Sequence, residues 1–163
     1  MKVSKNCLEL ISFFEGKRNT PYLCSASVAT IGIGHVLYDP ITKVRLTGVD
    51  GLKRAKEIYP KVSDEQIQLW LKEDLKDAES KVNTRVRVAL SQNQFDALVS
   101  HTFNTGGSTS LFALVNANYP SSNALKSWWT ERYITANGKV LRGLIKRREV
   151  EYELFDTGKL NLK

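Results

Sequence analysis

Ala29-Thr30-Ile31-Gly32-Ile33-Gly34-His35 is the stretch on which the fold turns. Isoleucines alternate with glycines there, and Pro21 and Pro40 punctuate the flanks. Residues 20–45 therefore read as a small, strongly turned antiparallel sheet. Upstream, Ser4 can cap a segment whose apolar Cys7, Leu8, Ile11 and Phe14 fall at helical spacing, with Gly16 as the stop. Downstream, residues 38–59 read as a third strand followed by a short helix around 52–57.

Farther out the period is helical. Ser63-Asp64-Glu65-Gln66 has the form of a capping box and opens a stripe of Ile67, Leu71, Leu75, Ala78 and Val82. The stripe predicts one long helix over 63–83. A second box, Ser91 to Gln94, starts a helix with Phe95, Leu98, Val99 and Thr102 facing in, and Gly106-Gly107 ends it. Residues 111–116, 122–133 and 141–155 read as three further helices, separated by Pro120 and by Asn137-Gly138. The class is α+β, predominantly helical. One domain is expected over 1–163. It comprises a small antiparallel β lobe (15–62), a connecting long helix (63–83) and an all-helical lobe (84–163) on which 1–14 packs.

Composition narrows the partners. The chain has 163 residues, 24 Lys and Arg against 17 Asp and Glu, and a formal net charge of +7. With 42% hydrophobic residues it is an ordinary globular sequence. No membrane span is expected, and the basic start leads into an apolar stretch broken by Glu9 and Glu15 rather than into a signal peptide. Two cysteines make neither a disulfide scaffold nor a metal knuckle, so no metal and no cofactor is expected. The positive balance asks for an anionic partner: nucleic acid, a membrane surface or an acidic polymer such as bacterial envelope. Without aromatic-interleaved basic strands or a helix-turn-helix, no nucleic acid is expected as partner.

One constellation carries chemistry. Glu15 closes the first predicted helix, Cys24 follows nine residues later, and Thr30 lies in the glycine-alternating strand. A helix end, a tight excursion and a returning strand can gather these three side chains. The negative end of the helix dipole, with Phe13 and Phe14 alongside, gives Glu15 the surroundings of a general acid. A thiol needs help to ionise, and Lys17, Arg18, Arg147 and Arg148 are the cations that could supply it to Cys24. Cys7 falls on an apolar stripe and is expected to be buried, and the Trp128-Trp129 pair reads as core.

Glu15-Gly16, Tyr22 and Thr30-Ile31-Gly32-Ile33-Gly34-His35 together resemble the catalytic segment of the bacteriophage-type lysozymes, glycoside hydrolase family 24. Gln94 to Ser100 with Phe103-Asn104-Thr105-Gly106 is similar to that family's central helix. Gly143-Leu144, Arg147-Arg148, Glu151 and Leu154-Phe155 are similar to its last one. The resemblance implies a lysozyme-like fold and a muramidase that cuts the β-1,4 bond between N-acetylmuramic acid and N-acetylglucosamine in peptidoglycan. It makes Glu15 the acid and Thr30 the holder of the attacking water, and it puts Cys24 where relatives generally carry Asp. Gly34, Val36, Phe103 and Asn104 become substrate-binding residues. His35 paired with Asp74 becomes scaffold, and Arg147 (with Arg148 one position away) becomes the partner of Glu15.

Two routes stay open at Cys24. It can hold a water for inversion, which is favoured, or attack the anomeric carbon itself for retention. Two other functions stay open as well: an impaired peptidoglycan-binding protein, and a wall peptidase or amidase using Cys24 with His35. The resemblance also implies a monomer made in a host cytoplasm that reaches the wall after holin-dependent release.

Overall fold

The computed structural model describes residues 1–117 and 123–163. Pro120 and Ser122, read as a separator and a helix start, lie outside the described residues. The chain divides into two units, one continuous (Glu15–Asp74) and one assembled from Met1–Phe14 and Leu75–Lys163.

The continuous unit holds an antiparallel sheet of β1 (Arg18–Leu23), β2 (Ala29–Gly32) and β3 (His35–Val36), with β2 in the middle. After it come α2 (Gly48–Ile58) and α3 (Asp64–Asp74). Side chains alternate across a strand, so one parity must be buried. Ala29, Ile31 and Leu37 take the buried side, joining Leu46 and Ala55 in a core edged by Ile58, Tyr59, Val62 and Trp70. The other parity is left for the opposite face: Tyr22 pairs with Thr30, and Thr30 with Val36. Beyond β3 the chain makes a loop pinned by Asp39. Its carboxylate accepts the backbone N–H groups of Ile41 (2.8 Å) and Thr42 (3.0 Å) and an ion pair from Arg54 (3.1 Å).

The helix expected over 63–83 is two helices. α3 ends at Asp74, Leu75 is a buried turn residue, and α4 spans Lys76–Arg85. Charge and anchoring both favour the break. Glu73 and Asp74 are adverse at a helix C-terminus, and Asp77 and Glu79 are favourable in a first turn. The Asp74 carboxylate is also held by His35 of β3, at 2.9 Å. Ser63 accepts the Gln66 N–H as a cap should, and at the first helix Ser4 accepts from Asn6.

The second unit contains α1 (Lys5–Glu15, whose last residue belongs to the first unit), α4, α5 (Gln92–Thr105), α6 (Thr109–Asn116), α7 (Asn123–Glu131) and α8 (Arg142–Thr157). Both halves of the Ser91–Gln94 capping box form, and Gly106 closes α5 in the left-handed conformation. The sequence stripe leaves one face of α5 outward. Instead, every residue from Phe95 to Thr102 is buried, because α4 and α8 pack along the helix. Its polar residues therefore need internal partners. Asp96 accepts from the Ser4 N–H (3.0 Å), the Ser4 hydroxyl and Gln92.

The first residues form a strap over the same region. The Met1 amino group donates to Asn83, and Lys2 and the Val3 N–H both bind Glu79 at 2.8 Å. Cys7 and Trp129 are fully buried, as expected, while Trp128 is only half-buried. Asn137-Gly138, read as a separator, is the tip of a small hairpin of β4 (Thr135–Ala136) and β5 (Lys139–Val140). Both tip residues have positive φ, 51° and 73°, as a two-residue type I′ turn requires.

Two glycines of the β segment separate strain from space. Gly32 has φ 65°, and a Cβ there would stand 3.1 Å from Ile67 Cγ2; Gly34 has φ 75° and open surroundings. We expect Gly34→Ala to cost about 1 kcal/mol from backbone strain alone. Gly32→Ala should cost about 2–3 kcal/mol, because overpacking adds to the strain. Urea unfolding of the two variants checks the ordering.

Candidate active site

Glu15 is the last residue of α1, and Gly16 at φ 73° turns the chain out of the helix toward β1. The apolar shelter read from Phe13 and Phe14 is not found at Glu15, which is exposed, as is Phe13.

Cys24 is the residue after β1 and opens a tight turn. Its N–H donates to the Val28 carbonyl (3.0 Å), its carbonyl accepts from Ser27 (2.9 Å), and Ser27 takes a positive φ of 57°. The turn points backbone donors at the sulfur. Hydrogen bonds from the Val28 and Ala26 N–H groups outweigh partial burial, and with the Thr30 hydroxyl they hold the thiol below its ordinary range. The cations expected to do this are engaged elsewhere. Lys17 pairs with Asp64, and Arg18 lies 4.4 Å over the Tyr22 ring. Thiolate character at Cys24 therefore comes from backbone dipoles.

Thr30 is 3% exposed, and its hydroxyl donates to the Val28 carbonyl at 3.0 Å. Tyr22 stands opposite it in register, and Cys24, two residues on, keeps the same parity. Electrostatics tie the group together. Burial, Cys24 and Glu15 raise the Tyr22 phenol against the opposing pull of Arg18. Tyr22, a motif letter in the sequence, thus shares this face with Thr30 and Cys24. The Tyr22–Thr30 register was the signal that could have shown this.

His35 lies on the other face. It pairs in register with Ile31, not Thr30, and its ring stacks on Trp70 with centroids 4.7 Å apart. Its Nδ1 binds the Asp74 carboxylate at 2.9 Å. A Cys24–His35 dyad does not form. Gly34 is exposed, and Val36 is half-buried on the Thr30 side. Among the described residues, no group of three or more His, Cys, Asp or Glu could hold a metal ion.

The remaining expected residues lie in the helical unit. Phe103 is half-buried in the last turn of α5, and the exposed Asn104 accepts from Arg148. Arg147 and Arg148 are both buried, and both pair with Glu151 at 3.1 Å. Ser100 (2.7 Å) and Trp129 (3.4 Å) also donate to that carboxylate, which is 0% exposed. Glu151 was only a pattern letter in the sequence, yet it is the anion around which these helices are organised. Next to it His101, also 0% exposed, sits among Trp128, Trp129 and Tyr133. Burial, then Arg148 and Arg147, push the imidazole well below its usual range.

Comparison with known proteins gives a consistent family. The family described as "Phage lysozyme" matches residues 12–151. An endolysin of Acyrthosiphon pisum secondary endosymbiont phage 1 is 32% identical over 96% of this chain and 99% of its own length. The endolysin of Salmonella phage P22 is 35% identical over 95% and 98%. A crystal structure of a P22 lysozyme point mutant, 28% identical over 95% of this chain and 98% of that one, superposes with a TM-score of 0.75.

Two measurements follow. In a thiolate-absorbance titration, Cys24 should ionise below the ordinary thiol range while the buried Cys7, whose thiol is pushed up, stays silent. Thr30→Val should raise the Cys24 midpoint, and an unchanged midpoint would refute the role of the hydroxyl. His101 sets a stability limb. The unfolded chain binds a proton below about pH 6.5 that the native imidazole refuses, so stability is full above that pH and falls below it. The fall is up to ~1.4 kcal/mol per pH unit. Between pH 7 and 5, His101→Phe should lose less stability than the parent in urea melts.

Proposed function

Because the chain belongs to the phage lysozyme family, whose muramidases hydrolyse the β-1,4 bond between N-acetylmuramic acid and N-acetylglucosamine, we propose that Glu15, Cys24 and Thr30 carry this reaction. The substrate is peptidoglycan, and the outcome is wall degradation in host lysis.

In this assignment Glu15 protonates the glycosidic oxygen as the bond breaks. On the far face of the sugar, the Cys24 thiolate takes a proton from a water that Thr30 helps to hold, and that water attacks the anomeric carbon. The observation that carries the reading is the ring of donors at Cys24. A free thiol is a poor substitute for a carboxylate at neutral pH, and these donors favour the anion. Tyr22, between Glu15 and Cys24 electrostatically, orders the same face. Gly34, Val36, Phe103 and Asn104 contact the glycan. His35 and Asp74 brace the sheet.

Two other readings lose support. A wall peptidase needs His35 at Cys24, and His35 is on the opposite face with Asp74. A decayed binding protein has no need of Glu15, of Thr30 or of a thiol held toward its anion. The enzyme works as a monomer, is made in the host cytoplasm and reaches the wall after holin-dependent release. Its charge of +7 draws it to acidic envelope polymers, an attraction that salt weakens.

Glu15→Gln should cut the release of reducing ends from purified peptidoglycan by about 10²–10⁴-fold with the fold intact. Full activity in that variant would end the assignment. Proton NMR immediately after cleavage should show the α anomer first, and a β product would replace the water route with thiolate attack. Cys24→Ala should be impaired. Cys24→Asp should stay active with the rising limb of its pH profile displaced to acid, since activity gained by deprotonation follows the pKa of the group at position 24.

A further inference from the structure

A cavity of about 400 Å³ lies in the helical unit between the end of α4, the link that follows it, and α6. Phe112 and Ala113 give it an apolar side, and Arg85 and Arg87 stand at its rim. Both residues are exposed, and neither guanidinium makes a hydrogen bond or ion pair among the described residues, which leaves its five donors to solvent or a ligand.

Their backbones, by contrast, are fixed by one side chain. Asn116 in the last turn of α6 accepts the Arg87 N–H at 2.7 Å and donates to the Arg85 carbonyl at 2.8 Å. The two arginine backbones are thus fixed at the cavity, while among the described residues their guanidinium groups have no partner. A second cavity of about 200 Å³ shares Arg85, Thr109 and Phe112 and continues to Lys81. Lys81 is neutralised by Asp77 at 2.8 Å, so the uncompensated charge of the pair of cavities rests on Arg85 and Arg87.

We propose that this groove binds a phosphate ester carried by an envelope polysaccharide. Two guanidinium forks lining one cavity match the tetrahedral oxygens of a phosphate better than a diffuse positive surface does. The Phe112 side offers an apolar wall to the sugar or polyol bearing the phosphate, and the volume accommodates about one such unit. The site lies wholly within the helical unit and includes none of Glu15, Cys24 and Thr30. It anchors the enzyme to the envelope without taking part in bond cleavage. The proposal rests on the reading of acidic envelope polymers as partners, and it gives that attraction an address.

The test measures binding of two probes by calorimetry, a glycerol phosphate oligomer and a phosphorylated glucosamine disaccharide, with phosphate-free peptidoglycan as reference. At least one probe should bind the parent. Arg85→Gln/Arg87→Gln should then weaken it about tenfold or more, as expected for losing two charge-assisted contacts. Lys53→Gln/Lys139→Gln removes the same charge elsewhere and should weaken binding about twofold or less.

Equal losses in the two double variants, or no binding of either probe by the parent, would overturn the site. Should the arginine variant fail to fold, Ala113→Glu places a carboxylate on the exposed cavity wall, and unaltered binding there overturns it as well. Cleavage of phosphate-free peptidoglycan should be unchanged in every variant. A defect there that matched the binding defect would make Arg85 and Arg87 part of glycan recognition and refute a separate anchor. Which probe binds identifies whether a polyol phosphate or a sugar phosphate is the source.

Discussion

Burial of Ala29, Ile31 and Leu37 is the constraint on which the site depends. Strand side chains alternate, so committing these residues to the small core commits Tyr22, Thr30 and Val36 to the other face. A register slip of one residue would send Thr30 inward and Ile31 outward, losing both the core and the site. The same parity argument places His35 beside Trp70 and away from Cys24. Apolar packing thus decides which polar groups can meet, before any of them interacts.

The two units stabilise negative charge by related means. At Cys24 the donors are backbone N–H groups in a turn, fixed by the same hydrogen bonds that shape it. Such dipoles need no long side chain to be ordered, and they leave Lys17 and Arg18 to other contacts. At Glu151 the donors are side chains: two arginines, a serine and a tryptophan around one fully buried carboxylate. Taking that carboxylate out of water is tolerable only because both oxygens are satisfied, and removing one member leaves a buried charge exposed to the full desolvation cost. The surplus positive charge of Arg147 and Arg148 is then felt by His101, which stays neutral.

Local chemistry was legible in the sequence wherever a pattern is short. The Ser91–Gln94 box, the Gly106 stop, the burial of Cys7 and the His35–Asp74 pair are all found as read. The break at Leu75 was not, because an unbroken apolar stripe predicts continuity and says nothing of a carboxylate captured by a distant imidazole. The all-round burial of α5 escaped for a similar reason. Asp96, Ser100 and Thr102 look like an outward face until the partners that satisfy them are known. The sulfur's donors were invisible for a different one: backbone N–H groups carry no letter, and only the turn geometry aims them.

The strap of Met1 to Ser4 has a consequence for biosynthesis. A ribosome delivers the N-terminal residues first, yet their anchors Glu79, Asn83 and Asp96 emerge after the whole of the segment Glu15–Asp74. The contiguous unit is wholly synthesised once α3 is out of the exit tunnel. The strap and α1, with the apolar Cys7, Leu10 and Ile11, must wait unpaired while that whole segment is translated. Vectorial synthesis therefore imposes an order, in which the half built from two separated stretches closes last.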